Sequence, residues 1–205
     1  MIPIKKLIIL LMLLSIGIGF AFRPAPPPGT PSFLIQPTPN INNLHIDCFV
    51  VENRLQVAFL AGLSFSENPG EITLEHGWPT DSLVLYVIDT DGEAQYPILR
   101  GSNVSIKGSS SEMMLRLTYE IEIKLPVSGP PGPWEYARHF AFYPPFLDAD
   151  GHVLQPDRSR IRFMLPEEIQ PTTCNSNLSQ PDTLDMLLSW QYHGEISDTP
   201  CRFSE

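Results

Sequence analysis

The chain predicts an all-β protein, one antiparallel β-sandwich of about nine strands with a short C-terminal helical appendage. Three observations carry this. Residues 113–125 alternate: Met113, Leu115, Leu117, Tyr119, Ile121, Ile123 and Leu125 are apolar, and the residues between them are polar apart from Met114. Period two makes one apolar and one polar face on a strand, whereas a helix would scatter both classes around its axis. Apolar runs of strand length also recur between Gly, Pro and Asp turns across residues 43–165. Finally, 42% hydrophobic and 18% charged residues suit a packed core rather than disorder.

Taken in order, residues 1–21 read as a signal peptide. Lys5 and Lys6 precede an apolar run from Leu7 to Ile18, and Gly19-Phe20-Ala21 forms a small-x-small site, with cleavage expected after Ala21. The alternative is an uncleaved anchor. No cysteine lies near the site, which disfavours a lipoprotein. Cleavage removes two lysines and no acid, so 11 basic residues would face 23 acidic ones and the net charge would move from −10 to −12. Such an acidic surface repels nucleic acid and anionic lipid, so contact with a membrane is expected only through an uncleaved leader. Residues 22–40, FRPAPPPGTPSFLIQPTPN, read as a proline-rich spacer.

The sandwich is expected over residues 41–166. Leu44, Ile46, Cys48 and Val50 alternate with His45, Asp47, Phe49 and Val51, then Glu52-Asn53-Arg54 turns and Leu55 to Leu60 returns, a first hairpin. Glu71 to Glu75 is a short strand. Leu83 to Ile88 is apolar on both faces, as a covered strand would be, and Asp89-Thr90-Asp91-Gly92 ends it with strong turn chemistry. Pro97 confines Tyr96 to Leu99 to an edge or a bulge, and Val104 to Lys107 leads into the long alternation. At about 3.3 Å per residue that run would reach roughly 43 Å, so it is expected to bend or to pass from one sheet to another. Tyr136 to Tyr143 resumes, Asp148-Ala149-Asp150-Gly151 repeats the earlier turn, and Ile161, Phe163 and Leu165 give a last strand.

This count and spacing resembles immunoglobulin-like domains in general form, without the Cys…Trp…Cys spacing of antibody domains. A barrel is the alternative. Residues 167–205 form a polar tail. A short helix is expected there from about Pro181 to Trp190, capped by Asp182, with Leu184, Leu187 and Leu188 at helical spacing.

The three cysteines of an exported chain are potential disulfides, and they cannot all pair internally. Cys174 and Cys201 bracket the helical segment and are expected to bond, stapling the tail to the sandwich. Cys48–Cys174 and Cys48–Cys201 are the alternatives. Cys48 shares the inward register of Leu44 and Ile46, so its plain role is a buried, inert thiol.

Asp89, Asp91, Asp148 and Asp150 would offer hard oxygen ligands to Ca²⁺ if both turns met at one end of the fold. Hairpin turns use the same residues for backbone reasons alone. Trp78, Trp134 and Trp190 fall at or beside loops, where they would meet a protein or glycan partner or plug the core edge. The five histidines lack the spacing of a zinc helix, and Gly-x-Ser-x-Gly, Ser-x-x-Lys and phosphate-binding glycine loops are missing from the sequence. Asn103-Val104-Ser105 and Asn177-Leu178-Ser179 are glycosylation acceptors only in a eukaryotic source.

The expectation is an exported, periplasmic or secreted, non-catalytic binding or structural module without a cofactor. Its alternatives are a Ca²⁺-binding or ligand-sensing domain and a cell-envelope hydrolase.

Overall fold

A computed structural model describes residues 29–76, 83–89, 94–95, 98–100, 103–108, 110–126, 136–174, 178–179, 181–184 and 187–205. They form strands and no helix. In chain order these are β1 (Phe33–Gln36), β2 (Asn40–Val51), β3 (Arg54–Ser64), β4 (Glu71–Glu75), β5 (Leu83–Asp89), β6 (Ala94–Gln95), β7 (Ile98–Arg100), β8 (Asn103–Lys107) and β9 (Glu112–Glu122). Then come β10 (Lys124–Pro126), β11 (Tyr136–Phe142), β12 (Phe146–Leu147), β13 (Ser159–Pro166), β14 (Gln170–Thr173), β15 (Asp182–Leu184), β16 (Leu187–Tyr192) and β17 (Cys201–Ser204). Three sheets result: an eight-stranded sheet ordered β15-β16-β13-β2-β3-β9-β5-β6, a five-stranded β12-β1-β4-β8-β7 and a four-stranded β10-β11-β17-β14. Two pairs, β13–β2 and β1–β12, run parallel. The described residues thus form an all-β fold of three sheets, consistent with a β-sandwich, with seventeen strands rather than about nine and with parallel as well as antiparallel pairing.

The large sheet organises the rest. Its cross-strand rows fall on one face, for instance Tyr192–Ile161–Ile46–Phe59–Leu117 and Trp190–Phe163–Cys48–Val57–Tyr119, and every one of these side chains is buried. Directly opposed residues share a face of a sheet, so the alternation in the sequence becomes one continuous apolar layer. The five-stranded sheet covers one part of it, where Phe59 meets Phe33 and Phe146 with ring centroids 6.5 and 5.2 Å apart. The four-stranded sheet covers another part, where Phe163 meets Phe142 at 5.2 Å and Phe203 at 4.7 Å.

The first hairpin forms as expected, with Val51 opposite Arg54 and Glu52 at φ 54° in the two-residue loop. The long alternation does change sheets. β9 belongs to the eight-stranded sheet and β10 to the four-stranded one, with the buried Ile123 between them. Its backbone stays satisfied there, donating to the Asn53 carbonyl at 2.8 Å and accepting from the His139 amide at 3.0 Å.

Three expectations are corrected. No helix forms near Pro181–Trp190; β15 and β16 make a hairpin, Asp182 opposite Ser189 and Leu184 opposite Leu187. β16 then completes the edge of β13 through six residue pairs, and Trp190 and Tyr192 are buried while Gln191 is exposed, a period of two. Pairing with β13 outweighs the weak helical spacing of three leucines. The tail 167–205 is therefore no appendage, since it supplies β14–β17 to two sheets. The spacer 22–40 likewise contains β1, an inner strand whose Phe33 and Ile35 are fully buried. Chain order ends at the cystine: Cys174 is bonded to Cys201, 27 residues on, with Cα atoms 4.3 Å apart. It ties the end of β14 to the start of β17, its neighbour.

Candidate functional site

Polar side chains cluster at several places among the described residues, and two of these are candidate sites. The first is built on the turn after β12. The Asp148 carboxylate accepts from the backbone amides of Asp150 at 2.9 Å and His152 at 2.8 Å, and its second oxygen lies 3.3 Å from His152 Nδ1. Gly151, at φ 83°, makes the tight reversal without a Cβ penalty. The His152 amide, more than anything else, holds the Asp148 carboxyl below its ordinary value. Ligand atoms of Asp148, Asp150 and His152 lie within 4.8 Å of one another. Two carboxylates and an imidazole are too few and too mixed for a Ca²⁺ cage of six to eight oxygens, and one Asp148 oxygen is already occupied in closing the turn.

This turn borders a groove of about 530 Å³ between residues 151–155 and 195–198. Gln155 fixes its far wall like a strand partner, donating to the Ile196 carbonyl at 2.7 Å and accepting from the Ile196 amide at 2.8 Å. Tyr192 adds a second anchor through its hydroxyl, which donates to the Glu195 carbonyl and accepts from the Ser197 amide. His152 stands on one wall, Glu195 and Asp198 on the other. Such a groove suits a cationic group.

The second surface is the outer face of the eight-stranded sheet, opposite the core. Arg162 and Asp47 face each other across β13 and β2, with Nε to Oδ1 at 2.7 Å and Nη2 to Oδ2 at 2.8 Å. His45 Nε2 lies 3.2 Å from Asp47 Oδ2. Partial burial alone would raise the Asp47 carboxyl, but the Arg162 hydrogen bond and charge, with His45 adding, outweigh it and the net shift is downward. One row nearer the β3 end, Arg160, His45, Leu60 and Arg116 lie opposite one another. The sequence held a signal for this surface: Arg158, Arg160 and Arg162 alternate with Ile161, Phe163 and Leu165.

The remaining expected residues are dispersed. Asp89 ends β5 of the large sheet and Asp148 follows β12 of the five-stranded sheet, while residues 90–92 of the first turn lie outside the described residues. Asp91, Trp78 and Trp134 lie outside the described residues. Trp190 is only 8% exposed, on the core face beside Phe163, and therefore presents no binding surface. Its Nε1 has no hydrogen-bond partner among the described residues. Cys48 is fully buried, and that burial, with the Asp47 charge adding, pushes its thiol well above the ordinary range, so it is no nucleophile.

No family model and no curated protein matches the sequence. Among solved structures, the chain is similar to an M1 zinc metallopeptidase from Deinococcus radiodurans bound to a Tyr-Ser-Ala substrate, at 12% identity and a TM-score of 0.51, over 83% of this chain and 43% of that one. The same enzyme without that substrate gives 0.48 at the same identity and coverage, as does its two-domain form bound to L-arginine. The chain thus spans less than half the length of these structures. At this identity the likeness is one of fold.

Proposed function

We propose that the protein is an exported, non-catalytic β module of the cell envelope or extracellular space that docks a partner through the outer face of its eight-stranded sheet. The observation that carries this reading is the division of that sheet into two unlike faces. One is sealed under two smaller sheets, and the other bears Arg160, Arg116, the Asp47–Arg162 pair and the exposed Ala58 and Thr118. Export is supported by the leader-like residues 1–21 and by the Cys174–Cys201 disulfide, a bond favoured in oxidising compartments.

The non-catalytic part is supported by the sequestered Cys48 thiol and by the lack of any His-x-x-x-His pair in the sequence, the spacing with which a helix presents two zinc ligands. The fold likeness to a metallopeptidase brings no residues with it. The test is turnover by the purified, disulfide-bonded chain on peptide, ester, glycoside and phosphate substrates, with and without chelator. Inactivity throughout is expected. Chelator-sensitive hydrolysis would transfer the reading to the hydrolase alternative.

A second reading is favoured by the turn cluster. Asp148, Asp150 and His152 would hold a cation together with water, with Glu195 and Asp198 adding negative potential across the groove. The imidazole favours a transition metal over Ca²⁺ there.

A further inference from the structure

We propose that two copies of this chain exchange the arm formed by residues 29–36, each arm filling in the other copy the slot that it fills here in its own. The exchange goes beyond the docking reading and leaves it intact, because the arm ends in β1 of the five-stranded sheet and not in the eight-stranded one. The arm is held by parts of the chain remote in sequence. Gly29 bridges Ala141, and the Thr30 amide donates to the Ala141 carbonyl at 2.8 Å. The Thr30 hydroxyl oxygen accepts from the Tyr143 amide at 2.9 Å, and the Phe33 amide donates to the Pro145 carbonyl at 2.9 Å. β1 then lies between β12 and β4, with Phe33 opposite Phe146 and Ile35 opposite Leu74. Among the described residues it has no ladder with β2, the strand that follows it. Thr30, Phe33 and Ile35 are buried, so the arm is seated as a ligand would be. The slot is also specific: at Gly29 a Cβ would run into the Ala141 carbonyl oxygen and the Tyr143 ring. It takes a segment with glycine at that point, which a second copy supplies.

What joins the arm to the rest is short. Pro37-Thr38-Pro39 alone separates β1 from β2, and these strands belong to different sheets. Proline fixes φ, and a residue that precedes proline favours extended backbone, which here applies to Gln36 and Thr38. Gln36, Pro37 and Thr38 are exposed. A short, stiff connector invites exchange, because the chain that folds back in the closed form runs on into a neighbour in the exchanged one. Closed and exchanged forms share every contact outside the connector, so exchange is a low-cost route to a dimer. The balance between them rests on the connector and on the entropy of association. Reciprocal exchange closes about a two-fold axis, so its product is a dimer rather than a fibre.

The test uses the full, disulfide-bonded chain, unfolded in urea without reductant and refolded at concentrations up to about 0.5 mM, since mass action governs any dimer. Light scattering on the size-separated species gives the stoichiometry of the wild type. A mixture of a Leu34→Cys chain with a Glu75→Cys chain gives the geometry, because these positions face each other across β1 and β4. Under a short bismaleimide the two chains become linked only when the arm of one lies beside β4 of the other. A third variant carries about six Gly/Ser residues inserted after Thr38, a flexible connector that lets the arm close on its own chain. Melting temperatures matching the wild type establish that the variants fold. Expected is a dimer that cross-links between unlike chains, with a dissociation constant raised at least about tenfold by the insertion. A wild type that is monomeric at every concentration overturns the proposal. So does a dimer without a link between residues 34 and 75, which would be an association of surfaces, or one that the insertion leaves unchanged.

Discussion

Arg162 grips Asp47 with two hydrogen bonds across the parallel β13–β2 pair, at 2.7 and 2.8 Å, on the solvent side of the sheet whose other side forms the core. The pair is partly buried, so its worth is that of a charge-assisted bidentate contact reduced by the solvent that still reaches it. Arg162→Met should cost about 1–2 kcal/mol at pH 7. Asp47 is held below its ordinary value of 3.8, so this contribution is fully present above that value and is lost as pH falls through the lower, folded-state one. Urea unfolding should therefore show wild type and variant converging as the pH drops below about 3.8. A gap that persists undiminished would contradict the ion pair.

His76 is buried, with its ring 5.7 Å from Phe33, and burial lowers its pKa from 6.5. Its folded-state value lies below the unfolded one, so the unfolded chain takes up protons first on acidification. The stability it supports is complete above about pH 6.5 and declines as the pH falls below it. Wild type should lose more stability between pH 7 and pH 5 than His76→Leu. The check is the urea midpoint of each at both values.

Reducing Cys174–Cys201 opens a loop with a sequence separation of 27, worth roughly 3–4 kcal/mol in the chain-entropy model. Cys174→Ser and Cys201→Ser should lower the melting temperature by similar amounts, and the double variant should add little. β14 and β17 should be the first strands to lose hydrogen-exchange protection.

Trp190 buries an indole N–H without a hydrogen-bond partner among the described residues. Trp190→Phe removes that N–H at the expense of a small void, and should cost about 1 kcal/mol, against about 3–5 for Trp190→Ala. Thermal unfolding of both variants checks the ratio. A cost for Trp190→Phe as large as that for Trp190→Ala would mean that the N–H is bonded.

Asp148 closes its own turn. If that is its role, Asp148→Ala lowers the melting temperature equally in millimolar Ca²⁺ and in chelator, and Asp150→Ala is nearly silent. A stabilisation by Ca²⁺ or Zn²⁺ that both substitutions abolish would establish the cation reading instead.

Much of this molecule was legible in its residues because burial on one face of a sheet writes itself as period two. Met113 to Ile123, Leu44 to Val50 and Leu55 to Leu60 became the rows of one core, and even the change of sheet after Glu122 followed from the length of the alternation. The cystine was legible too, since Cys174 and Cys201 bracket one segment. What failed depended on partners distant in sequence. β16 is a strand because β13 offers an edge, and Phe33–Gln36 is core because β4 and β12 flank it. Neither neighbour is visible locally. Trp190 was misplaced for the same reason, its burial being decided by Phe163 and the sheet above. The outer face of the large sheet was half legible: the alternate arginines of β13 were there to read, but Arg116 lies level with Arg160 only through the register of β2, β3 and β9.

Whether the protein is an exported module closed by its own disulfide is decided by intact mass with thiol alkylation, on protein recovered from its own export pathway without reductant. Expected are loss of residues 1–21, a mass two hydrogens short for one internal disulfide, and a single thiol, Cys48, that alkylates only after denaturation. Three alkylated thiols, a retained amino terminus, or a native-state reaction at Cys48 would contradict it.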